Sequence, residues 1–449
     1  MAVGHAAPER RAELLGGVLD RADAEPRHSR RLRLLAAACL DTAQMIDPEV
    51  SRRVEAAVEE LLPPRGQNET RSLAFAGGRM LRLLPSSLDE LSDASAAACV
   101  KTAALVGGPE AQRLLARWAP DPRGAVQRAL AQVWRYFDPG EYATAVLRDA
   151  PLDDGQITVK LIGHVPHLHM LQHLRDARVV LIDAGTVDDL RFLRDAPPVT
   201  TILMVQARGP VDLAPLSSCP ALERVDILGG DVSPGWEVLS ALPALHWLAV
   251  DLPDGGRDLS FLTRCPSLTG VVLNGCTALS VSALVSASHL RKVYLRDAKH
   301  LRDLRPFIGL PNLERLGIDD APLTDGLAAA TPVLDRLKEL DVWRVSTVTS
   351  LEAVAGTSLQ EINLANCPIT DLTPLATLQS LTRVWLRDFP AVDLAPLSTL
   401  PHLRELMLLD IDEPVDLSPL AGIHHRLQIE LRNTPTVGAA GPLVKIRRR

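Results

Sequence analysis

From about residue 199 onward, the chain repeats a regular alternation of apolar and polar positions. Phrases of the form Leu-x-x-Leu-x-Leu begin at anchors that are 22 to 24 residues apart. The fourth and sixth positions of these phrases are also apolar, as at Val225 and Ile227 or Val384 and Leu386. Such alternation predicts one short strand per repeat with a single buried face. The anchors are Val199, Leu222, Leu245, Leu268, Leu290, Leu313, Leu337, Leu359, Leu381 and Leu403.

A second phrase, Asp-Leu-x-Pro-Leu, stands upstream of several anchors, for example at 212–216, 371–375 and 393–397. Proline near a helix N-terminus is well tolerated, so this phrase predicts a tight helical or 3₁₀ return after each strand. One coil of this kind cannot bury its own leucines, and neighbouring coils must stack to form a continuous core. The fold predicted for this region is an α/β solenoid of about eleven coils.

The first 150 residues follow a helical pattern instead. Asp-Pro pairs at 47–48, 121–122 and 138–139 each predict an N-cap followed by proline in the first helical turn. After the first pair, Val50, Val54, Val58 and Leu61 form one apolar stripe. Short helices separated by Gly or Pro turns are typical of paired antiparallel helices, so we expect a HEAT-like domain. We predict a helical domain over residues 1–152 and a repeat domain over residues 153–449. The first strands of the repeat domain, at 157–162 and 179–182, are irregular and are expected to cap the N-terminal end of the array.

Charge and hydropathy narrow the function classes. The 449 residues carry 55 acidic and 48 basic side chains, a net charge of -7. Because there is no basic excess, neither nucleic acid nor an anionic membrane surface is an expected partner. No secretory signal and no apolar run long enough to span a bilayer occurs, so we expect a cytoplasmic protein. Almost all basic residues are arginine, as in proteins of high-GC bacterial genomes.

No catalytic or metal-binding pattern stands out. The six cysteines are scattered without a Cys-x-x-Cys pair, which excludes a zinc ribbon or a disulfide framework. Four histidines cluster in one segment, at His164, His167, His169 and His173. Because the segment has no carboxylate or cysteine, we expect them to be polar surface residues rather than metal ligands. We therefore expect no catalytic residue, no cofactor and no metal, and a protein that is not an enzyme.

The repeat over Asp176 to Arg432 resembles the leucine-rich repeat, in a bacterial form of about 22 residues. The resemblance implies an exposed, concave strand face that recognises partners. It also implies that the ninth repeat position faces the interior, where Cys276 and Cys367 fall. Cys219 and Cys265 occupy the slot that Leu242, Leu310 and Leu400 fill in other repeats, which favours packing over reactivity.

The helical phrases at 27–64 and 99–147, together with the repeats, resemble the region downstream of the ATPase module in actinobacterial NACHT-type STAND NTPases. In that family, ligand binding to the repeat sensor allows ADP to be exchanged for ATP and the protein to oligomerise. The resemblance implies a non-enzymatic sensor. The chain is then either a fragment of such an NTPase or an independent subunit whose ATPase is lost or encoded nearby, which makes a separate NACHT ATPase subunit a candidate partner. Two alternatives remain: a stand-alone scaffold joining two proteins, and a ubiquitin-ligase effector with repeats. The latter requires a catalytic domain with an exposed cysteine, for which no residues remain.

Aromatic and arginine residues recur at the strand positions expected to be exposed. Trp247, Tyr294, Trp343 and Trp385 all fall there, and such residues dominate binding energy at protein interfaces. We expect a protein or peptide ligand on this face; the alternative is that neighbouring repeats bury the rings. The predicted partner-binding residues are Trp247, Tyr294, Arg296, Arg315, Trp343, Arg383, Trp385 and Arg387.

The sequence contains no Gly-x-x-x-x-Gly-Lys-[Ser/Thr] loop to cradle a triphosphate. We therefore predict that the purified chain neither binds nor hydrolyses ATP, as measured by calorimetry and by phosphate release. A dissociation constant for ATP in the micromolar range would contradict this prediction.

Overall fold

The computed structural model of the protein describes residues 8–40, 47–66, 68–74, 77–160, 168–183, 190–196, 198–205, 211–228, 236–251, 259–275 and 284–448. These residues separate into two compact units, Met1–Met204 and Val205–Arg449. The first contains the N-terminal helices and the first strands, and the second contains the repeated strands. The domain boundary expected at 152/153 stays a prediction.

The helices of the first unit are short and follow one another closely. They are α1 (Pro8–Ala24), α2 (Ser29–Leu40), α3 (Pro48–Glu59), α4 (Thr70–Ala74), α5 (Gly78–Leu83), α6 (Asp93–Val106), α7 (Gly108–Trp118), α8 (Gly124–Val133) and α9 (Pro139–Tyr142). A 3₁₀ turn covers Trp134–Tyr136 and a π-helical turn covers Ala143–Leu147. Helix α6 buries Ala96, Cys99, Val100 and Ala103 and contacts α4, α7 and α8. Successive helices also pack together in the pairs α1/α2 and α2/α3, in keeping with the expected HEAT-like arrangement.

Two of the three predicted N-caps are confirmed and one is wrong. Asp47 accepts hydrogen bonds from the N–H groups of Glu49 and Val50, and Asp138 caps α9 in the same way. Asp121 does not begin a helix, since α8 starts at Gly124. The Asp121 carboxylate accepts the backbone N–H of Arg123 and binds its guanidinium at 2.6 Å, and the bond to the guanidinium lowers the pKa of that carboxyl.

Strands recur once per repeat. They are β1 (Gln156–Lys160), β2 (Val179–Asp183), β3 (Thr201–Val205), β4 (Arg224–Leu228), β5 (Trp247–Asp251), β6 (Gly270–Asn274), β7 (Lys292–Arg296), β8 (Arg315–Asp319), β9 (Glu339–Trp343), β10 (Glu361–Ala365), β11 (Arg383–Phe389), β12 (Glu405–Ile411), β13 (Val415–Asp416), β14 (Leu427–Arg432), β15 (Thr436–Val437) and β16 (Val444–Arg448). A short helix α10 (Thr331–Leu334) lies between β8 and β9. Strands β1 and β2 match the irregular first strands that the sequence predicts, although 161–162 lie outside the described residues.

In the second unit, strands β4 to β12, then β14 and β16, pair in parallel in that order, and β13 pairs in parallel with β15, which is the topology of a solenoid. The register keeps equivalent repeat positions side by side, so that Leu340, Ile362, Val384 and Leu406 lie in one row. Every anchor from Val199 to Leu403 is at most 1% exposed. The predicted α/β solenoid is confirmed, because the leucines of each coil meet those of its neighbours in one core.

The returns between strands are mostly 3₁₀ turns that begin with a capped N–H. Asp212, Asp371 and Asp393 each accept a hydrogen bond at 2.8–2.9 Å from the N–H two residues further along. Such aspartates supply the acceptor that the first turn lacks. This explains why the repeated phrase starts with aspartate. The 3₁₀ returns of the second unit are Ala214–Ser218, Trp236–Ala241, Ser260–Arg264, Arg305–Gly309, Ala328–Ala330, Glu352–Val354, Thr373–Thr377, Ala395–Thr399 and Ser418–Gly422.

One residue of each coil adopts a left-handed backbone from β6 onward, with φ between 47° and 73°. It directly follows β6 to β10 and β14, and it lies near the C-terminal end of β11 and β12. Glycine, asparagine and aspartate tolerate this conformation best. Arg344 is the exception, and its guanidinium is held by two hydrogen bonds to Asp319. The left-handed residues are Gly275, Asp297, Asp320, Arg344, Asn366, Asp388, Asp410 and Asn433.

Replacing a core leucine should damage folding rather than recognition. Leu364 is 1% exposed and lies between Val342 and Leu386 of the adjacent strands. Leu364→Ala should lower the free energy of unfolding by roughly 2 to 5 kcal/mol, measured by urea denaturation. The exposed neighbour Gln360 provides the control, and Gln360→Ala should unfold with the parent. Equal stability of the parent and Leu364→Ala would mean that the repeat register is wrong.

Candidate functional site

The face of the sheet opposite the buried leucines, which we term the outer face, carries the odd-numbered repeat positions. Parallel pairing in constant register places these side chains in rows that cross the strands. One row holds Tyr294, Gly317, Asp341, Asn363 and Trp385. The next row holds Arg296, Asp319, Trp343, Ala365 and Arg387. Adjacent strands are about 5 Å apart, so each row spans roughly 20 Å.

Two aromatic rings lie flat on the outer face, each over a glycine of the next strand. A Cβ atom at Gly317 would overlap the Tyr294 ring, and one at Gly270 would overlap the Trp247 ring. The prediction that all four aromatic side chains are exposed is therefore wrong for Trp247 and Tyr294, which are half-buried. The missing glycine side chain leaves the space that the ring fills.

Trp385 is also half-buried, which again differs from the prediction, whereas Trp343 is 41% exposed as predicted. The indole N–H of Trp385 is buried and donates to no described residue. Of the four predicted aromatic contacts, Trp343 is thus the one that offers its ring to solvent.

Tyr294 is tied into a network of charged side chains. Its hydroxyl donates to the Glu339 carboxylate at 3.0 Å, and Arg315 forms an ion pair with the same carboxylate. Burial, followed by the negative charge of Glu339, raises the pKa of Tyr294 above its ordinary value. The phenol is therefore a fixed neutral donor.

Arg383, another predicted contact residue, lies between two carboxylates. Its guanidinium is 2.9 Å from Glu361 and 2.7 Å from Glu405, on the strands at either side. Like Arg315, it is neutralised by its neighbours. The predicted arginines of the third repeat position therefore hold the outer face together and have little charge left for a ligand.

A groove with a volume of about 450 Å³ crosses the outer face from β7 to β11. On its walls, Trp343 is accompanied by the exposed Arg296 and Arg387. Arg387 lies 3.3 Å from Asp388 and 3.4 Å from Asp410, and Arg296 forms no ion pair within the described part of the chain. The groove is lined by Tyr294, Leu295, Arg296, Gly317, Ile318, Asp319, Asp341, Trp343, Arg344, Ala365, Asn366, Arg387 and Asp388.

The structure therefore brings four of the predicted contact residues, Tyr294, Arg296, Trp343 and Arg387, to one groove. It adds Asp341 and Arg344, which the sequence did not single out as site residues. Burial raises the pKa of Asp341 to about 7, which is well above the usual range for aspartate. The sequence did contain a signal for Arg344. The left-handed position of the coils is otherwise Asp, Asn or Gly, and arginine breaks that pattern.

The predicted packing role of the cysteines agrees with their burial. Cys219, Cys265 and Cys367, for which packing was predicted, are buried. Cys99 in the helical unit is buried as well, and burial raises the pKa of its thiol to about 12. Cys276, His164 and His167 lie outside the described residues. His169 is exposed and His173 is partly exposed, and the described residues contain no cluster of three potential metal ligands.

Comparison with known proteins finds similar folds and no close relative. No family profile and no curated protein matches the chain. An internalin from Listeria monocytogenes is 18% identical, with a TM-score of 0.42, over 74% of this chain and 94% of that protein. A leucine-rich repeat protein of Leptospira interrogans is 12% identical, with a TM-score of 0.38, over 60% of this chain and 70% of that protein.

A third similar structure is the leucine-rich repeat ectodomain of the Arabidopsis thaliana receptor kinase GASSHO1/SCHENGEN3, in complex with CASPARIAN STRIP INTEGRITY FACTOR 2. It is 13% identical, with a TM-score of 0.33, over 64% of this chain and 37% of that protein. The second unit is a leucine-rich repeat solenoid. This assignment rests on its own parallel strands and buried anchors. Among the described helices, none is long and apolar enough to cross a membrane.

The ring of Tyr294 should depend on the glycine beneath it. Gly317→Ala would displace the ring and break its hydrogen bond to Glu339, so we expect a loss of about 1 to 3 kcal/mol in unfolding free energy. At Gly309 an added carbon would meet nothing closer than 3.7 Å, which makes Gly309→Ala the matched control. Thermal denaturation of both variants checks this. If Gly317→Ala melts with the control, the ring does not lie where we place it.

Proposed function

We propose that this chain is a recognition module that binds a protein or an extended peptide in the groove between β7 and β11. The observation that carries the proposal is Trp343, a large ring left 41% exposed in a row that ends in arginine on both sides. Tryptophan and arginine contribute most of the binding energy at protein interfaces. A row of roughly 20 Å suits about six residues of extended chain.

The surrounding outer face supports this assignment through its rigidity. Arg315 and Arg383 are already paired with glutamates of adjacent strands, and Tyr294 is packed over Gly317. Such side chains lose little freedom when a ligand arrives, and pre-organised surfaces bind more tightly for that reason. Trp343, Arg296 and Arg387 would then make the direct contacts.

More specifically, we propose that the chain is the sensor part of a STAND-type regulatory or defence protein of bacterial, actinobacterial origin. The support is the likeness of the helical phrases at 27–64 and 99–147 to that family. In this proposal the module acts in the cytoplasm without catalysing a reaction, and a NACHT ATPase working with it supplies the nucleotide switch.

A peptide library displayed on phage and selected against the full chain would provide a binder for the test. We expect Trp343→Ala combined with Arg387→Ala to weaken that binder by about 30-fold or more, since losing such contacts costs about 2 kcal/mol. The melting temperature should stay close to that of the parent because both side chains are exposed.

The control replaces a side chain of equal exposure on the return side of the coils. Ile308 is 40% exposed in the return Arg305–Gly309, and Ile308→Ala should bind like the parent. Unchanged affinity in the double variant would place the binding site elsewhere. A large drop in melting temperature would show that Trp343 or Arg387 supports the core.

A further inference from the structure

The floor of the groove contains a carboxyl group without a basic partner. Asp341 lies on β9 between Gly317 of β8 and Asn363 of β10. The side-chain amide of Asn363 donates a hydrogen bond to one of its oxygens. Among the described residues, no lysine or arginine forms an ion pair with Asp341. A partly buried carboxylate gains most from a cation that it lacks.

The charged groups around Asp341 do not fill this gap. Glu339 on its own strand and Glu361 on β10 both repel negative charge there, and Arg315 on β8 attracts it. Arg315, however, is paired with Glu339. Along the walls, Arg344 is neutralised by Asp319 at 2.5 Å, and Arg387 is near Asp388 and Asp410.

Arg296, on β7, is the remaining basic group of the groove. It lies two strands away from Asp341, or roughly 10 Å, and Tyr294 precedes it on the same strand. Among the described residues it forms no ion pair with Asp341. Burial and the neighbouring acids together keep the pKa of Asp341 near 7, so that the carboxyl is about half ionised at neutral pH.

One oxygen of Asp341 remains available. Asn363 donates to the first carboxylate oxygen, and the second accepts no hydrogen bond from a described residue. Asp341 lines the groove, whereas the side-chain oxygen of Asn363 is buried beside it. Trp343, two residues along β9 on the same face, presents an exposed aromatic ring.

We propose that the floor of the groove binds a basic side chain of the partner, with the Asp341 carboxylate accepting its hydrogen bonds and Trp343 lying against it. Arginine fits best, because the planar guanidinium donates to a carboxylate and stacks on aromatic rings. This inference deepens the proposed function and rests on it, since the basic side chain belongs to the peptide in the groove.

Ionisation gives the proposal a definite dependence on pH. A cation binds the ionised carboxylate, so affinity should rise as pH increases through the pKa of Asp341. With that pKa at about 7, the ionised fraction increases about tenfold between pH 6 and pH 8. Binding should therefore be about tenfold tighter at pH 8.

The probe is the peptide acetyl-Gly-Arg-Gly-amide, and its counterpart with citrulline is the uncharged control. The full chain is labelled with 5-fluorotryptophan, and the Trp343 signal is identified through Trp343→Phe. We expect the arginine peptide to shift the Trp343 fluorine resonance. The dissociation constant obtained from this shift should be about tenfold lower at pH 8 than at pH 6. The citrulline peptide should bind at least tenfold more weakly and show no such dependence.

Two carboxyl variants test the assignment to Asp341. Asp341→Asn should weaken arginine-peptide binding by about tenfold at pH 8 and abolish its pH dependence. The variant should still fold. A carboxyl whose pKa is raised in the folded state makes the protein less stable as pH increases, and asparagine removes that loss. Asp335→Asn, an exposed acid after α10, should behave like the parent.

Equal binding of the arginine and citrulline peptides, a flat affinity from pH 6 to pH 8, or full affinity in Asp341→Asn would each overturn the inference. The proposed function fails separately. If a selected binder still depends on Trp343 and Arg387 but gains nothing from a basic residue, the groove binds a partner without this contact. If neither dependence is found, both proposals are wrong.

Discussion

The structure of the second unit depends on one constraint: no coil can bury its own leucines. Leu340, Ile362, Val384 and Leu406 are all 0% exposed, and each is covered by the equivalent residues of the coils on either side. A core built from nearest neighbours fixes the strand register along the array. Because the register is constant, the outer-face positions also align in rows, although they contribute little to the core.

This separation explains how recognition and stability occupy the same strand. On β9, Leu340 and Val342 face the core while Asp341 and Trp343 face the groove. The outer face is not uniform, however. Arg315, Glu339 and Tyr294 satisfy one another, so they stabilise the surface, whereas Trp343 and Arg296 remain available. A residue's position in the repeat decides which face it occupies, and its neighbours on adjacent strands decide whether it is free.

The fold could be predicted because its signals are local and repeated. The anchors, the Asp-Leu-x-Pro-Leu returns and the caps at Asp47 and Asp138 all follow from spacing and residue type. The cap expected at Asp121 is wrong, because the helix begins three residues later, at Gly124, although the Asp121 carboxylate still accepts the Arg123 backbone N–H. Exposure of the rings depends on residues one repeat away in sequence, such as Gly317 beneath Tyr294, which a single repeat does not reveal. The same applies to Asp341, whose raised pKa arises from burial among several strands.

The most direct test of the account is to ask which exposed ring a bound partner covers. Trp343 in the groove and Tyr136 in the helical unit are similarly exposed, at 41% and 43%. Hydroxyl-radical footprinting of the full chain, with and without a peptide selected for binding, reports the solvent access of both rings. The account predicts that oxidation of Trp343 falls several-fold when the peptide binds while that of Tyr136 is unchanged. Protection of Tyr136 with undiminished oxidation of Trp343 would contradict it.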